Sequence, residues 1–399
     1  MMKFNSLLKY FLTITVIASS VSCIDEKEDV FVARDLQRVE LIYIAGDNNL
    51  DSYLRGVAER IRGGWLYTGN RTLIYFDSNY APPKLLSIRG GCPVYPNPFI
   101  EEVEVYEEEN SADAKVMGRV IRRVRELYPA KSYGLIFSSH SSGWLPEGTL
   151  NDPGRSRSIG QDDNGGSMSD GRSEMNLDEF ASAIPDGEFD YIIFETCLMA
   201  GVEVAYELRN KAKYIVASSA ELLADGFNGI YPTAHNLLME TKIPLEQALT
   251  EFNTTYMSYI NKSTRSNWAT MGIIKTEKLD EMAAAVADVF QNESTEISDV
   301  WLLQHFDRPA IHGQRYPRFF DFEQTLEQIA QPEQMDNIKE LLKEIVIWKD
   351  ATPTMFGGYT GGFEVERHSG MTIYIPQDIY MKLNESYKTT QWYRATRGE

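Results

Sequence analysis

The chain has 399 residues, of which 43% are hydrophobic and 12% aromatic, enough to fill one large or two moderate cores and too apolar for a disordered polypeptide. Its 58 acidic residues outweigh 39 basic ones, for a formal net charge of −19. This argues against sequence-independent binding to a polyanion, so no nucleic-acid partner is expected, whereas a substrate carrying basic side chains would be attracted.

The first segment reads as a leader rather than as part of the fold. Lys3 and Lys9 precede an apolar stretch, Tyr10 to Ala18, too short to span a bilayer, and Ser19-Ser20-Val21-Ser22-Cys23 follows with small residues before a cysteine. Residues 1–22 are thus expected to be a secretory signal. The run into Cys23 resembles a bacterial lipoprotein box, which implies cleavage before Cys23 and lipidation of that residue. The acidic run Asp25 to Asp29 resembles the export tag of surface lipoproteins of Bacteroidetes. The expectation is an exported lipoprotein at the outer membrane or cell surface, touching the membrane through its lipid anchor only; a cleaved soluble protein is the competing reading. Residues 23–37 would then be the lipidated cysteine and a charged tether.

Val39 to Ala45 reads as a first strand, followed by the turn and cap cluster Gly46-Asp47-Asn48-Asn49 and a helix beginning near Leu50. Arg71 to Asp77 reads as a second strand, and the Pro- and Gly-rich stretch from Ser78 to Pro98 as an irregular surface excursion. Val116, Val120, Val124 and Leu127 recur at helical spacing, so a helix leads into the apolar run Tyr133 to Ser139. A polar segment follows, then a short helix over Met175–Ile184, the apolar run Phe189 to Glu195, a helix over Leu198–Leu208, a strand over Lys213–Ser219 and a loop over Glu221–Tyr231. Helical patterns around 245–260, 277–291, 320–330 and 335–348 come next, interrupted by strand-like Thr270–Ile274 and Met371–Ile375. The pattern predicts an α/β fold with a mostly parallel sheet covered by helices on both faces. Residues 38–240 would form that domain and 241–399 a helix-rich C-terminal lobe extending it.

Two of these runs end on reactive side chains. Tyr133 to Ser139 leads directly to His140, and Phe189 to Thr196 leads to Cys197. Parallel sheets place their chemistry at the carboxyl ends of the strands, which puts both residues on one rim. A thiol beside an imidazole can attack an amide without metal or cofactor, because the thiolate is the nucleophile and the histidine moves the proton. The chain therefore reads as a cysteine peptidase. The other cysteines are Cys23 and Cys92. A small buried hydrophobe and a Cys92–Cys197 disulfide are the competing readings of Cys197, and the second would abolish the chemistry.

The residues Phe194-Glu195-Thr196-Cys197-Leu198-Met199-Ala200 and Ser139-His140-Ser141-Ser142-Gly143-Trp144 resemble the cysteine and histidine motifs of the clostripain family. Tyr43 to Leu50, Ile159 to Asp163 and Gly370 to Pro376 resemble further landmarks of that family, in family order. The resemblance implies a caspase-like fold and endopeptidase activity after Arg or Lys, with His140 and Cys197 as a dyad forming a thioester acyl-enzyme. Backbone donors at Ser141, Ser142, Gly143 and Cys197 would stabilise the oxyanion. The family has glycine directly after the histidine and aspartate two residues before the cysteine; here these positions are Ser141 and Glu195. Glu195 would help form the base of the S1 pocket, with Asp225 and Glu221 as competing carboxylates and a structural salt bridge as the alternative role. Self-cleavage between the dyad residues is implied too, with Arg155, Arg157 and Arg172 as candidate sites.

No cofactor is expected for the chemistry. The family's prototype depends on calcium, so the resemblance alone leaves calcium dependence open; Asp162-Asp163-Asn164 lacks a spaced ligand pattern and reads as a solvated turn. His235, His305, His312 and His368 show no metal-ligand spacing, so no metal site is expected. Trp144 could wall the substrate cleft or belong to the core. The competing functions are a weak or inactive binding protein on the same scaffold, held at the surface, and transpeptidation, in which an amine resolves the acyl-enzyme. The expected partners remain proteins or peptides with basic residues.

Overall fold

The computed structural model describes residues 36–398 apart from 94, 148–157, 164–173, 264–266, 292–296, 298, 308–315 and 357–361. The leader with Cys23, the tether up to residue 35, the three candidate cleavage arginines, Asn164 and His312 lie outside the described residues. No helix among the described residues is long and apolar enough to cross a membrane.

Strands β1 (Val39–Gly46), β2 (Arg71–Ser78), β3 (Ala81–Arg89), β4 (Phe99–Val105), β5 (Tyr133–Ser138), β6 (Phe189–Glu195), β7 (Ala212–Ala217) and β8 (Thr270–Lys275) belong to one sheet. β9 (Phe320–Asp321) lies outside it, β10 (Val346–Ala351) joins it, and β11 (Thr354–Met355), β12 (Phe363–Glu364) and β13 (Thr372–Ile373) form small pairs elsewhere. The nine-stranded order is β10-β8-β7-β6-β5-β1-β2-β3-β4. Strands β7, β6, β5, β1 and β2 run parallel, and antiparallel strands extend both edges.

The central runs are continuously apolar because both faces of the sheet are covered. Successive side chains point to opposite faces, so Leu41, Tyr43, Leu135, Phe137, Ile192 and Phe194 enter one core while Ile42, Ile44, Ile136 and Ile193 enter the other. Helix Ala114–Leu127 packs its Met117, Val120, Ile121 and Val124 into the first core; helix Leu245–Lys262 packs Leu249, Phe252 and Tyr256 into the second. Each such side chain contributes about 1.5 to 3 kcal/mol on burial. The fold is the expected mixed α/β one.

Several local expectations need correction. The stretch from Ser78 to Pro98 is not irregular: Ala81–Arg89 is a strand between β2 and β4. Pro82 and Pro83, which read as breakers, sit at its start, where the pairing with β2 shifts register between Phe76 and Ser78 and proline costs little. The helix expected from Leu198 begins only at Val202, since the chain first turns away from β6. The pattern over 335–348 divides into helix Pro332–Ile345 and strand β10.

Candidate functional site

Strand order gives the site its place. Chain connections leave β1 toward β5 on one side and β2 on the other, and a crevice opens beyond the carboxyl ends of strands at such a switch. Three loops meet there: Gly46 to Asn49 after β1, Ser139 to Gly143 after β5, and Thr196 to Leu198 after β6. Ser138 of β5 stands opposite Glu195 of β6 in register, so His140 and Cys197 each follow two residues beyond a matched pair.

The two loops are tied directly. The Ser141 hydroxyl donates to the Cys197 carbonyl, and Gly143 passes so close to the Cys197 loop that a Cβ there would stand 2.6 Å from the Leu198 carbonyl oxygen. Gly143 also has φ +67°, a conformation that glycine takes without strain. Leu198 has φ +62°, which costs a leucine on the order of 1 kcal/mol or more. That turn directly follows Cys197. Leu198 N donates to Ala220 O at 2.9 Å and fixes it.

Cys197 is partly exposed and is not in a disulfide, so the bridge to Cys92 does not form. Leu222 N donates to its sulfur at 3.3 Å, an interaction that favours the thiolate. His140 Nε2 lies 2.6 Å from Asn49 Oδ1. Asn49 is a residue that the sequence reading missed as a functional one; it had appeared only as part of a cap cluster. With Asn49 Oδ1 as the acceptor, Nε2 is the nitrogen that donates, and the tautomer that suits this contact has Nδ1 as its base. Asn49→Ala is expected to lower kcat for peptide hydrolysis by about tenfold with KM little changed, and Asn49→Asp, which keeps an acceptor oxygen, to recover most of it. Steady-state kinetics on the three proteins checks this.

Glu195 sits directly beneath the rim, 6% exposed. It accepts from the Ser138 hydroxyl, from Phe227 N at 2.5 Å and from the Tyr231 hydroxyl at 2.9 Å. Gly226, at φ +45°, leaves room for it, since a Cβ there would meet Glu195 Oε1 at 2.3 Å. Burial raises the Glu195 pKa above the usual carboxylate range, and the three donors oppose that rise. Asp225 and Glu221 are half-buried in the loop after β7. Tyr256, from helix Leu245–Lys262, is also drawn to this corner: its buried hydroxyl has no hydrogen-bond partner among the described residues and feels the charges of Asp225, Glu195 and Cys197.

Among the oxyanion candidates, Ser142 N already donates to Ser158 O at 2.9 Å, which engages it within the fold. Trp144 belongs to the core, 3% exposed against Tyr374 and Tyr387 with ring centroids 5.0 and 5.2 Å away. His235 is buried against Glu40 at 2.6 Å and His368 against Ser219 at 3.2 Å. His305 packs by aromatic contact with Trp301 and Phe320.

The acidic turn is not wholly solvated as expected. Asp162 is 2% exposed and its Oδ2 accepts from Ser111 N and Oγ at 2.7 and 3.0 Å; Asp163 alone of the pair is exposed. Asp162 shares a buried cluster with Asp47 and Asp77. Burial and the neighbouring Asp162 push the Asp77 carboxyl up to about 9.

A sheet of this order, with a thiol and an imidazole on adjoining strand ends, defines a cysteine peptidase of caspase-like architecture. The family model described as the clostripain family matches residues 42–397. An inactive zymogen C11 protease from Parabacteroides distasonis is 30% identical, with a TM-score of 0.75, over 90% of this chain and 98% of its own. A secreted C11 cysteine protease from Bacteroides thetaiotaomicron, solved with an irreversible peptide inhibitor, is 27% identical with a TM-score of 0.74, over 91% of this chain and 100% of its own. The structure from the same organism termed iotapain is 18% identical with a TM-score of 0.74, over 91% and 99%, and supports the fold alone. No curated protein sequence matches the chain. The chain belongs to the clostripain family, the C11 cysteine proteases, and is a hydrolase.

Proposed function

We propose that this protein is an exported endopeptidase that cleaves after Arg or Lys through Cys197 and His140. Cys197 sulfur attacks the scissile carbonyl, His140 Nδ1 takes the thiol proton and returns it to the departing amine, and water then hydrolyses the thioester. Amides at Ser141, Gly143 and Cys197 are the donors for the oxyanion. The single observation that carries the reading is the binding of the two loops to each other beyond matched strand ends, through Ser141 and Gly143.

The basic preference is carried by the acidic corner beside the sulfur. Asp225 is the carboxylate best placed to meet a guanidinium or ammonium directly, since Glu195 is held from three sides and adds its field from below. Glu221 neighbours Leu222, whose backbone touches the sulfur. The relative solved with a peptide inhibitor supports a peptide substrate, and its description as secreted supports export; lipidation at Cys23 rests on the sequence. Self-processing at Arg155, Arg157 or Arg172 is part of the same proposal, in line with a relative described as an inactive zymogen.

Fluorogenic peptides that differ only at P1 test it. Arg and Lys peptides are expected to turn over while Asp and Leu peptides do not, and Asp225→Asn is expected to lower kcat/KM for the Arg peptide at least tenfold, about 1.4 kcal/mol. Equal turnover of the Leu peptide would remove the acidic corner from its role.

A further inference from the structure

We infer that the Tyr256 hydroxyl is the neutral partner at the inner end of the pocket for the basic residue, accepting from the guanidinium of a P1 arginine and so favouring Arg over Lys. The inference rests on the cleavage after basic residues proposed above and adds the residue that tells one base from the other.

Helix Leu245–Lys262 brings Tyr256 to the loop after β7 on one continuous face, since Phe252, Tyr256 and Tyr259 recur at helical spacing. The Phe252 and Tyr256 rings stand edge-on to Phe227, with centroids 5.2 and 4.9 Å away. Tyr259 lies so close that a Cβ on Gly229 would stand 2.2 Å from its ring. Phe227 is in turn the residue whose N donates to Glu195, and it closely follows Asp225. Packing thus fixes the Tyr256 ring against the acidic corner.

The hydroxyl itself points to a ligand. Tyr256 is 0% exposed and its hydroxyl has no hydrogen-bond partner among the described residues; a buried O–H left so bears its desolvation cost uncompensated. The ionisable groups that act on it include Asp225, Glu195 and Cys197, all of the site. Glu195 is already held by three other donors. Burial and these negative neighbours raise the Tyr256 pKa well above that of a free tyrosine, so the hydroxyl keeps its hydrogen and stays neutral. A basic side chain supplies an N–H for its oxygen.

Depth and shape give the preference. Asp225 and Cys197 are partly exposed whereas Tyr256 is not, so a side chain entering past them reaches the hydroxyl last. Arginine is longer than lysine and ends in a planar fork, which can meet a carboxylate with one edge and the hydroxyl with another. The lysine ammonium is a compact point charge that a carboxylate serves alone.

The parent and Tyr256→Phe are compared with peptides bearing Arg, Lys or Leu at P1, with calorimetric titration by agmatine, an aliphatic guanidine, and with melting curves. The variant is expected to raise KM for the Arg peptide and Kd for agmatine about tenfold, with KM for the Lys peptide raised less than about threefold and kcat within about twofold. Its melting midpoint should stay within about 2 °C, because phenylalanine fills the same space and no bond within the fold is lost. Unchanged KM and agmatine affinity, or equal losses for Arg and Lys, overturn the inference. A variant that melts lower or does not fold overturns it too, since the hydroxyl would then serve the fold. A parent that cleaves the Leu peptide as well as the Arg peptide overturns the basic-residue reading and this inference with it; a parent that prefers Arg, beside a variant that keeps the same preference, overturns the inference alone.

Discussion

Cys197→Ala is expected to lower kcat/KM for an Arg peptide by at least about a thousandfold, to the background of the assay, while the melting midpoint stays within about 2 °C. The asymmetry follows from where the sulfur sits. It is partly exposed at the end of β6, and the turn that presents it is fixed by groups other than the thiol: Leu198 N on Ala220 O, the Ser141 hydroxyl on the Cys197 carbonyl, and Gly143 against Leu198 O. Alanine forfeits the long contacts of the sulfur with the Leu222 backbone, from its N at 3.3 Å and to its O at 3.9 Å, and little packing. Activity assays with melting curves on the same samples separate loss of the nucleophile from loss of the fold. A variant that kept a tenth of the activity would place the nucleophile elsewhere.

Glu195→Ala is expected to do the reverse damage, to stability first. Its carboxylate is the shared acceptor of Ser138, Phe227 N and Tyr231, and removal strands three buried donors next to a cavity. That costs about 3 to 5 kcal/mol, or about 4 to 7 °C in a chain of this size. Glu195→Gln keeps a side chain of the same shape, and the Ser138 and Tyr231 hydroxyls can turn to suit it, so its loss should stay below about 2 kcal/mol. The two variants also differ from the parent in pH response. Because burial holds the Glu195 pKa above that of the unfolded chain, the fold retains a proton there that the unfolded chain has already released. Stability due to this group therefore falls as pH rises from the unfolded value through the folded one, and Glu195→Gln should flatten that limb. Urea titrations across the acid range measure both effects.

The parallel heart of the sheet was legible in the sequence because β1, β5 and β6 are buried on both faces and so read as unbroken apolar runs. His140 and Cys197 were legible for the same reason, each following such a run. The margins were not. β3 hid behind Pro82 and Pro83, whose place at a register shift no local pattern reveals, and β4, with Glu101, Glu102 and Glu104, is an edge strand whose composition reads as surface. Leu198 looked like the start of a helix, since only tertiary contacts force it into the left-handed region. Asn49 and the Asp47, Asp77 and Asp162 cluster were illegible as units because their partners come from separate segments. Asp162 in particular is buried by its bonds to Ser111, which its polar neighbours do not foretell.

The central claim is that one sulfur, on the rim between β5 and β6, is the nucleophile and is served by His140. Incubation with an irreversible peptide electrophile bearing Arg at P1, followed by peptide mapping by mass spectrometry, tests it most directly. A single adduct on Cys197 is predicted, with none on Cys92 and with labelling slowed at least about tenfold by His140→Ala. An adduct confined to another residue, or no adduct on a folded protein, would contradict the account.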